Sequence, residues 1–328
     1  MKTIKILIYC LVLFFTSSCY VYASGYDIVV APDGSGNFRT IQAAINVAPD
    51  NCSKRTVIFV KNGVYREKVI VPSSKINLTI IGESAEHTLI TWDDYNPKVT
   101  GRDTINTWTS FTFAVDAEGF RAENISFENA AGRVGQAVAV RVVADQVVFM
   151  NCRFLGNQDT LFAHGIGRMY FSNCYIEGTT DFIFGSAVAL FENCRIHIKI
   201  NSYYTAASTP QGNRFGYVFK NCHLTADKGV TKAYLGRPWR AFAKTVFINC
   251  TMDECIRPEG WSNWNDPQRE QTTFYAEYNS RGKGANPLAR VKWSKQLSDE
   301  EAAAYTLENV FTRNSVCIPV VGSWNPLK

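Results

Sequence analysis

Short apolar runs separated by turns recur along this chain, and a common polar motif marks their ends. An Asn-Cys pair begins at positions 151, 173, 193, 221 and 249, and each pair is followed after one residue by Phe, Ile, Leu or Met. The stretches that begin at Asn77 and Asn124 extend the pattern to seven copies. Neighbouring copies are separated by 20 to 28 residues, except for one double step of 47 residues between positions 77 and 124. A β-rich repeat of this period is the sequence signature of a solenoid.

The runs between the copies predict an all-β fold. Residues 146–150 and 187–191, for example, are short strand-like segments, and no Leu-dominated consensus points to leucine-rich repeats. We therefore predict a right-handed parallel β-helix, with the repeated Asn and Cys residues stacked in interior ladders. Stacked Cys residues are expected as small buried apolar side chains. Cys255 with Cys317 is one candidate disulfide, and Cys52 has no evident partner.

Both ends of a solenoid need covers, because an open end exposes a strand edge. Residues 40–47, stopped by Pro49, predict a short amphipathic helix at the N-terminal end. The capping box Ser298-Asp299-Glu300-Glu301 predicts a second helix over residues 302–310. Residues 258–290, rich in Trp, Asn, Gly and Pro, are expected to form long loops along the outside. No linker is evident, so residues 24–328 are predicted to form a single domain.

The N-terminus predicts export. Lys2 and Lys5 precede an apolar run over residues 6–15, and Val21-Tyr22-Ala23 supplies small residues for cleavage, so residues 1–23 are interpreted as a secretory signal peptide. A lipoprotein signal that ends at Cys19 is a minor alternative. No later apolar run is long enough for a membrane helix, so no membrane association is expected of the mature protein.

Charge narrows the class of partner further. The formal charge of +5 favours an acidic polymer as partner, and the absence of a dense basic stripe argues against nucleic acid. Four sequons could accept glycans. Three of them begin at ladder positions and are expected to be buried, so Asn51 is the best candidate.

The period brings a set of polar side chains together. Asp159 and Asp181 each lie eight residues after a ladder Asn, so they should occupy the same place on adjacent coils, about 4.8 Å apart. Gln158 precedes Asp159, and a five-residue insertion around residues 130–135 would return Gln136 to the phase of Gln158. Two ionised carboxylates this close repel each other, so one should hold its proton, while the amides could donate to an oxyanion. The alternative is a set of surface polar residues at a coil edge.

Five stretches of the chain resemble the pectin methylesterases, also called pectinesterases. The family likeness runs from about Ile28 to Trp324 and rests on five motifs: Gly63-Val64-Tyr65-Arg66-Glu67, Gly135-Gln136-Ala137-Val138-Ala139, Gln158-Asp159-Thr160-Leu161, Asp181-Phe182-Ile183-Phe184-Gly185 and Leu235-Gly236-Arg237-Pro238-Trp239.

The resemblance implies a role for each matching residue and agrees with the β-helix expected from the period. It implies Asp181 as nucleophile, Asp159 as general acid and base, Gln136 and Gln158 as oxyanion donors, Arg237 as the partner of Asp181, Trp239 as part of a sugar subsite, and Thr107 as a substrate contact.

The resemblance also implies where and on what the protein acts. It implies a secreted cell-wall enzyme that acts on pectin, needs neither cofactor nor metal, and is expected to be a monomer. A proteinaceous pectinesterase inhibitor is a candidate partner. Many plant members carry an inhibitor-like pro-region, whereas here the catalytic motifs follow the predicted signal directly. Phe162 stands where Tyr is frequent, which keeps a ring for sugar stacking and loses a hydroxyl.

Two other functions stay open on the sequence alone. Another pectin-active β-helix enzyme, a glycosidase or a lyase, could also use paired carboxylates, although it would not need the two in-phase Gln residues. A non-catalytic wall-binding homologue is the second alternative. Among the aromatic residues near the motifs, Trp239 and Trp261 are the ones expected to line a sugar-binding groove.

Overall fold

The chain winds through three parallel sheets and forms a right-handed parallel β-helix. The computed structural model describes residues 25–312 and 322–328, so the predicted signal peptide and Cys317 lie outside the described residues. Successive coils contribute one strand to each sheet in turn, and every pairing within the three sheets is parallel. The predicted all-β solenoid is confirmed.

The strand bounds follow from this winding. In the described part of the chain, sheet A has eleven strands: Ile28–Val30, Thr56–Val60, Leu78–Gly82, Arg121–Glu123, Val147–Met150, Arg168–Ser172, Val188–Glu192, Tyr217–Lys220, Lys244–Ile248, Phe274–Tyr278 and Lys295–Gln296. Sheet B has eight: Gly63–Arg66, Thr88–Trp92, Ser126–Asn129, Arg153–Leu155, Tyr175–Gly178, Arg195–Ile198, His223–Ala226 and Thr251–Met252. Sheet C has seven: Val69–Val71, Phe113–Val115, Val140–Val142, Leu161–Ala163, Ile183–Gly185, Tyr203–Ala207 and Tyr234–Gly236. A small antiparallel pair joins Val99–Thr100 to Asp103–Thr104.

The core is a continuous column of apolar side chains between the three sheets. Phe149, Phe171, Phe191, Phe219 and Phe247 occupy one register position on successive strands of sheet A, and neighbouring rings stack at centroid distances of 4.5 to 5.2 Å. Identical side chains stack because a parallel register repeats each position on every coil. The register that aligns this core also aligns the polar residues outside it.

Six of the seven repeated Asn residues form a ladder, but the predicted interior location is wrong for them. Each of the six has a φ between 50° and 56°, the left-handed region that Asn tolerates better than most residues, and marks the turn from sheet A to sheet B. Asn77 has a similar φ of 56° but precedes a strand of sheet A, so its predicted place in the ladder is wrong. The ladder side chains lie at the surface, where the Asn151 amide donates to the Asn124 carbonyl at 2.7 Å. The Cys residues that follow point inward and are buried, as predicted. The three sequons that begin with these repeated Asn residues are half-buried rather than buried, and Asn51 is exposed.

The predicted N-terminal cap is confirmed and the C-terminal one is corrected. The first helix spans Ile41–Val47, and the Thr40 hydroxyl caps it. At the other end two short helices, Asp299–Ala303 and Leu307–Phe311, replace the single predicted helix. The break occurs because the Thr306 hydroxyl accepts from the Asn309 N–H and begins a new helix. The capping box at Ser298 forms as expected.

The segment 258–290 is not only an outer loop. Its strand Phe274–Tyr278 extends sheet A, and Asn279 repeats the ladder turn with a φ of 50°. The 3₁₀ helices Pro267–Gln271 and Pro287–Ala289 flank that strand, and a third 3₁₀ turn, Thr107–Thr109, lies near sheet C. The prediction of loops failed here because the Asn-Cys motif has changed to Asn-Ser in this coil.

A buried arginine fastens the C-terminal segment to the outer face of sheet A. Arg168 forms two hydrogen bonds to the Asp145 carboxylate, at 3.0 and 2.7 Å, and donates to the carbonyls of Phe311 and Gly322. A cluster of apolar side chains on the two short helices packs on the same face. One guanidinium therefore joins the solenoid to its C-terminal cover.

We expect Arg168→Met to lower the free energy of unfolding by about 3 kcal/mol, because a buried pair that loses one partner leaves an uncompensated charge. Urea unfolding measures the loss, and hydrogen exchange should rise first around Phe311. Arg195→Met, on the exposed face of sheet B, is the matched control. Equal stability of the two variants would contradict the assigned role of Arg168.

Candidate active site

A groove runs across the outer face of sheet C, near the N-terminal ends of the strands Leu161–Ala163 and Ile183–Gly185. It encloses about 490 Å³. Its walls combine carboxylates, amides, one guanidinium and several aromatic rings: Thr107, Trp108, Gln136, Gln158, Asp159, Phe162, Asp181, Phe184, Ala206, Arg237, Trp239 and Trp264. The seven residues to which the family resemblance gives a role all line this one groove.

The register of sheet C brings the polar groups together. Leu161 pairs with Ile183. Asp159 and Asp181 each lie two residues before these strands begin, so they occupy equivalent places on adjacent coils. Gln136 forms a parallel bridge with Gln158, which is the phase that the five-residue insertion predicts. One repeat period therefore sets both the carboxylate pair and the amide pair.

Both Asp residues have a left-handed backbone conformation, which is uncommon for residues other than Gly. Asp159 has a φ of 67° and Asp181 a φ of 50°, in the left-handed region at the end of the turn that leads into sheet C. Such conformations cost free energy and persist where the surrounding structure enforces them, often at functional sites. Here the turn brings each side chain from the loop to the mouth of the groove.

Arg237 holds Asp181 with two hydrogen bonds. Its Nε donates to Oδ1 at 2.9 Å and its Nη2 to Oδ2 at 2.6 Å. The guanidinium lies between the rings of Tyr203 and Trp264, at 4.0 and 3.7 Å from their centroids. A planar cation stacked on both faces and paired in its own plane has little freedom, so Arg237 fixes both the position and the charge of Asp181.

The two carboxylates differ in their electrostatics. Both are nearly buried, with 7% of Asp159 and 6% of Asp181 exposed. Burial, reinforced by the charge of Asp181, raises the pKa of Asp159 well above its ordinary value, and Arg237 offsets this only in part. Burial also raises the pKa of Asp181, against the hydrogen bonds and charge of Arg237. Because only Asp181 has the paired cation, it ionises first, and Asp159 keeps its proton beside it.

Aromatic rings form the apolar walls of the groove. Phe162 and Phe184 stack at 4.3 Å on adjacent strands, and Trp239 lies 6.0 Å from the Phe184 ring. The expectation that Trp261 lines the groove is wrong, because its bridge with Gly236 turns the ring into the core, where only 1% is exposed. Trp264 takes that place, after a backbone reversal with a φ of 63°.

Three contributors to the site were missed or undervalued on the sequence. Trp264 was not among the aromatic residues expected to line the groove, and neither Trp108 nor Asn96 was singled out. Trp108 belongs to the 3₁₀ turn Thr107–Thr109, and the Arg141 guanidinium stacks on its ring at 4.4 Å. The repeat does not predict the positions of Asn96 and Trp108, because both lie in the long coil between residues 77 and 124.

The described residues contain no group of three or more His, Cys, Asp or Glu side chains that could hold a metal ion. Within residues 25–312 and 322–328, no helix has the length and apolar character needed to cross a membrane.

The fold and the groove belong to a class of carboxylic ester hydrolases. The family model described as Pectinesterase matches residues 27–314, and this chain belongs to that family. It is 42% identical over 283 residues to Pectinesterase 31 of Arabidopsis thaliana, which covers 84% of this chain and 89% of that protein. It spans about half the length of other Arabidopsis relatives whose names join pectinesterase to pectinesterase inhibitor.

Solved structures show the same likeness. Pectin methylesterase from carrot superimposes with a TM-score of 0.83 at 34% identity, over 88% of this chain and 94% of the carrot chain. A pectin methylesterase in complex with a hexasaccharide superimposes with a TM-score of 0.79 at 31% identity, over 88% and 97% of the two chains. The family resemblance carried by the five motifs is confirmed.

Proposed function

We propose that this protein hydrolyses the C6 methyl esters of galacturonate units in pectin, with Asp181 as nucleophile and Asp159 as general acid and base. One observation carries the assignment of roles. Of two buried carboxylates in one groove, only Asp181 is paired with a cation, at 2.6 and 2.9 Å. The ionised, oriented group is suited to attack, and the group that keeps its proton is suited to donate it.

In the first half of the reaction, an Asp181 carboxylate oxygen attacks the ester carbonyl carbon and the carbonyl π electrons move to its oxygen. The side-chain N–H groups of Gln136 and Gln158 stabilise this oxyanion. When the oxyanion collapses, the bond to the methoxy oxygen breaks and the proton of Asp159 passes to that oxygen. Methanol leaves, and an anhydride joins Asp181 to C6 of the sugar.

In the second half, water attacks the C6 carbonyl carbon and gives a proton to the Asp159 carboxylate. The second tetrahedral intermediate forms against the same two amides. Its collapse breaks the bond to Asp181, which leaves as a carboxylate and pairs again with Arg237. The net change is one ester and one water converted into one carboxylic acid and one methanol, with both Asp residues restored.

The groove suits a sugar chain, because Phe162, Phe184 and Trp239 offer apolar rings beside the polar reacting groups. The hexasaccharide complex of a pectin methylesterase relative supports an oligosaccharide chain as the substrate. We further propose that residues 24–328 form one catalytic domain behind a secretory signal, that the protein acts as a monomer in the cell wall, and that a proteinaceous pectinesterase inhibitor binds it.

Product analysis on highly methylated pectin tests the proposed reaction. We expect methanol release with no accompanying increase in reducing ends or unsaturated ends. New reducing ends would indicate a glycosidase, and unsaturated ends would indicate a lyase. No product of any kind, with the folded protein still retained on pectin, would favour a wall-binding role and overturn the proposal.

We expect Gln158→Ala to lower kcat for methanol release by about 10²-fold, the usual cost of losing one oxyanion donor. KM should change little, because the donor acts on charge that develops only after attack. Gln211→Ala, on an exposed loop beyond Trp239, provides the same truncation away from the amides. An effect confined to KM would instead make Gln158 a ground-state contact.

A further inference from the structure

The Gln136 amide is hydrogen-bonded to Asn96, a residue that has no role in the mechanism described above. Asn96 faces Gln136 across an antiparallel bridge, and its backbone N–H donates to the Gln136 carbonyl at 2.9 Å. The side chains also meet, because Asn96 Nδ2 donates to Gln136 Oε1 at 3.0 Å. Backbone and side chain of Gln136 are therefore fastened to the same partner.

The second proton of the Asn96 amide is also used. Asn96 Nδ2 lies 3.2 Å from the Thr107 hydroxyl oxygen, on the turn that forms one wall of the groove. An NH₂ group has two protons, so one is directed to Gln136 and the other to Thr107. Asn96 thus links the amide pair to the groove wall and cannot rotate without losing a bond at each end.

The segment that carries Asn96 is itself anchored. Lys98 forms ion pairs with Asp93 and Asp94 at 2.9 and 3.0 Å. The buried Asn129 amide donates to the Asp94 carbonyl at 2.8 Å and to the Ser110 carbonyl at 3.0 Å. These contacts tie the segment to sheet B and to the groove turn, so Asn96 has a rigid support.

The orientation of the Gln136 side chain matters because one end of its amide is a hydrogen-bond donor and the other is an acceptor. Its NH₂ group would stabilise an oxyanion, whereas its carbonyl oxygen would repel one. When Asn96 occupies the carbonyl oxygen, the NH₂ group remains for the groove, and no acceptor for it is found among the described residues. Gln158 has no side-chain partner there to fix it in the same way. Donors stabilise a transition state best when they are oriented before the charge develops.

We propose that Asn96 is a positioning residue that fixes the Gln136 side chain with its N–H groups toward the reacting ester. This inference rests on the proposed function, since it assigns the orientation of one oxyanion donor. Asn96 touches no reacting atom, and its effect on the chemical step passes through Gln136.

Two substitutions separate orientation from simple packing. Asn96→Ala removes the restraint, and we expect kcat for methanol release to fall about fivefold with KM unchanged, as for the loss of one neutral hydrogen bond. Asn96→Asp keeps the shape but offers only acceptors, so it should attract the Gln136 NH₂ group away from the groove. We expect it to cost at least about tenfold at a pH where the new carboxylate is ionised.

A double-mutant cycle decides the proposal. In a Gln136→Ala background, a further Asn96→Ala change should lower kcat by less than about twofold, because the group it orients is gone. Asn46→Ala, on the N-terminal helix, is the control and should leave kcat unchanged in both backgrounds. Circular dichroism and thermal melting establish that each variant is folded.

Two outcomes would overturn the role of Asn96. One is a full fivefold loss that persists without the Gln136 amide, and the other is a change confined to KM. Failure of the proposed function is separate, since it would appear as wild-type protein that releases no methanol or as an Asp181→Asn variant that matches wild type.

Discussion

Asp181→Asn should reduce methanol release from pectin by about 10⁴-fold or more, because the amide has no anionic oxygen with which to form the acyl-enzyme. The substitution suits the backbone, since Asn occupies the same left-handed region at every ladder turn of this chain. Arg237 would lose its counter-charge while keeping its stacking between Tyr203 and Trp264. The fold should therefore survive while the chemistry is lost.

The measurement is initial methanol release with substrate in excess, and Asp253→Asn is the control. Asp253 is paired with His223 at 2.9 Å on the exposed side of sheet B, so the control removes an equivalent carboxylate from a His pair at the surface. We expect it to match wild type. Activity of Asp181→Asn above about a tenth of wild type would mean that another group is the nucleophile.

Asp159→Asn should lower kcat by about 10³-fold and raise the melting temperature at neutral pH. The lost activity follows from the missing general acid and base. The gain in stability follows from removing a carboxyl that burial and Asp181 make costly to ionise. A lower kcat together with a higher melting temperature would indicate that Asp159 is kept for its function at the expense of stability.

The stability gain should depend on pH in a defined direction. Below the ordinary Asp pKa of about 3.9, the native and unfolded chains both hold the proton, so the two proteins should be equally stable. As pH rises above that value, the unfolded wild-type chain releases its proton while native Asp159 retains it, and wild type loses stability. The difference in melting temperature should therefore grow from acid toward neutral pH. A constant difference, or one that shrinks, would contradict the raised pKa.

The solenoid and the carboxylate pair could be predicted because both depend on the repeat. A fixed period determines which residues share a register position, so Asp159 beside Asp181 follows from counting. The same counting predicted the Asn ladder but placed its side chains in the interior instead of at the surface. Periodicity alone does not distinguish an inward-pointing side chain from a residue in a left-handed turn. Arg237 required the family resemblance, since it lies two coils beyond Asp181 and repeats nothing.

The remaining features depend on tertiary context. Trp261 and Trp264 are three residues apart in a Trp-rich loop, and only the bridge at Gly236 and the reversal at Trp264 decide which ring enters the core. Asn96 belongs to a coil with an irregular length, so no spacing connects it to Gln136. The single predicted C-terminal helix broke at Thr306, where a local cap overrode an otherwise helical pattern.

The division of labour between the two carboxyls can be measured directly by titrating protein labelled with ¹³C at the Asp side-chain carboxyls. We expect the pair to titrate in two separate steps, with Asp159 still protonated at a pH where Asp181 is ionised. The higher step should disappear in Asp159→Asn. If both carboxyls instead titrate together near the ordinary Asp value, the site holds two equivalent anions, and the assignment of acid and nucleophile is wrong.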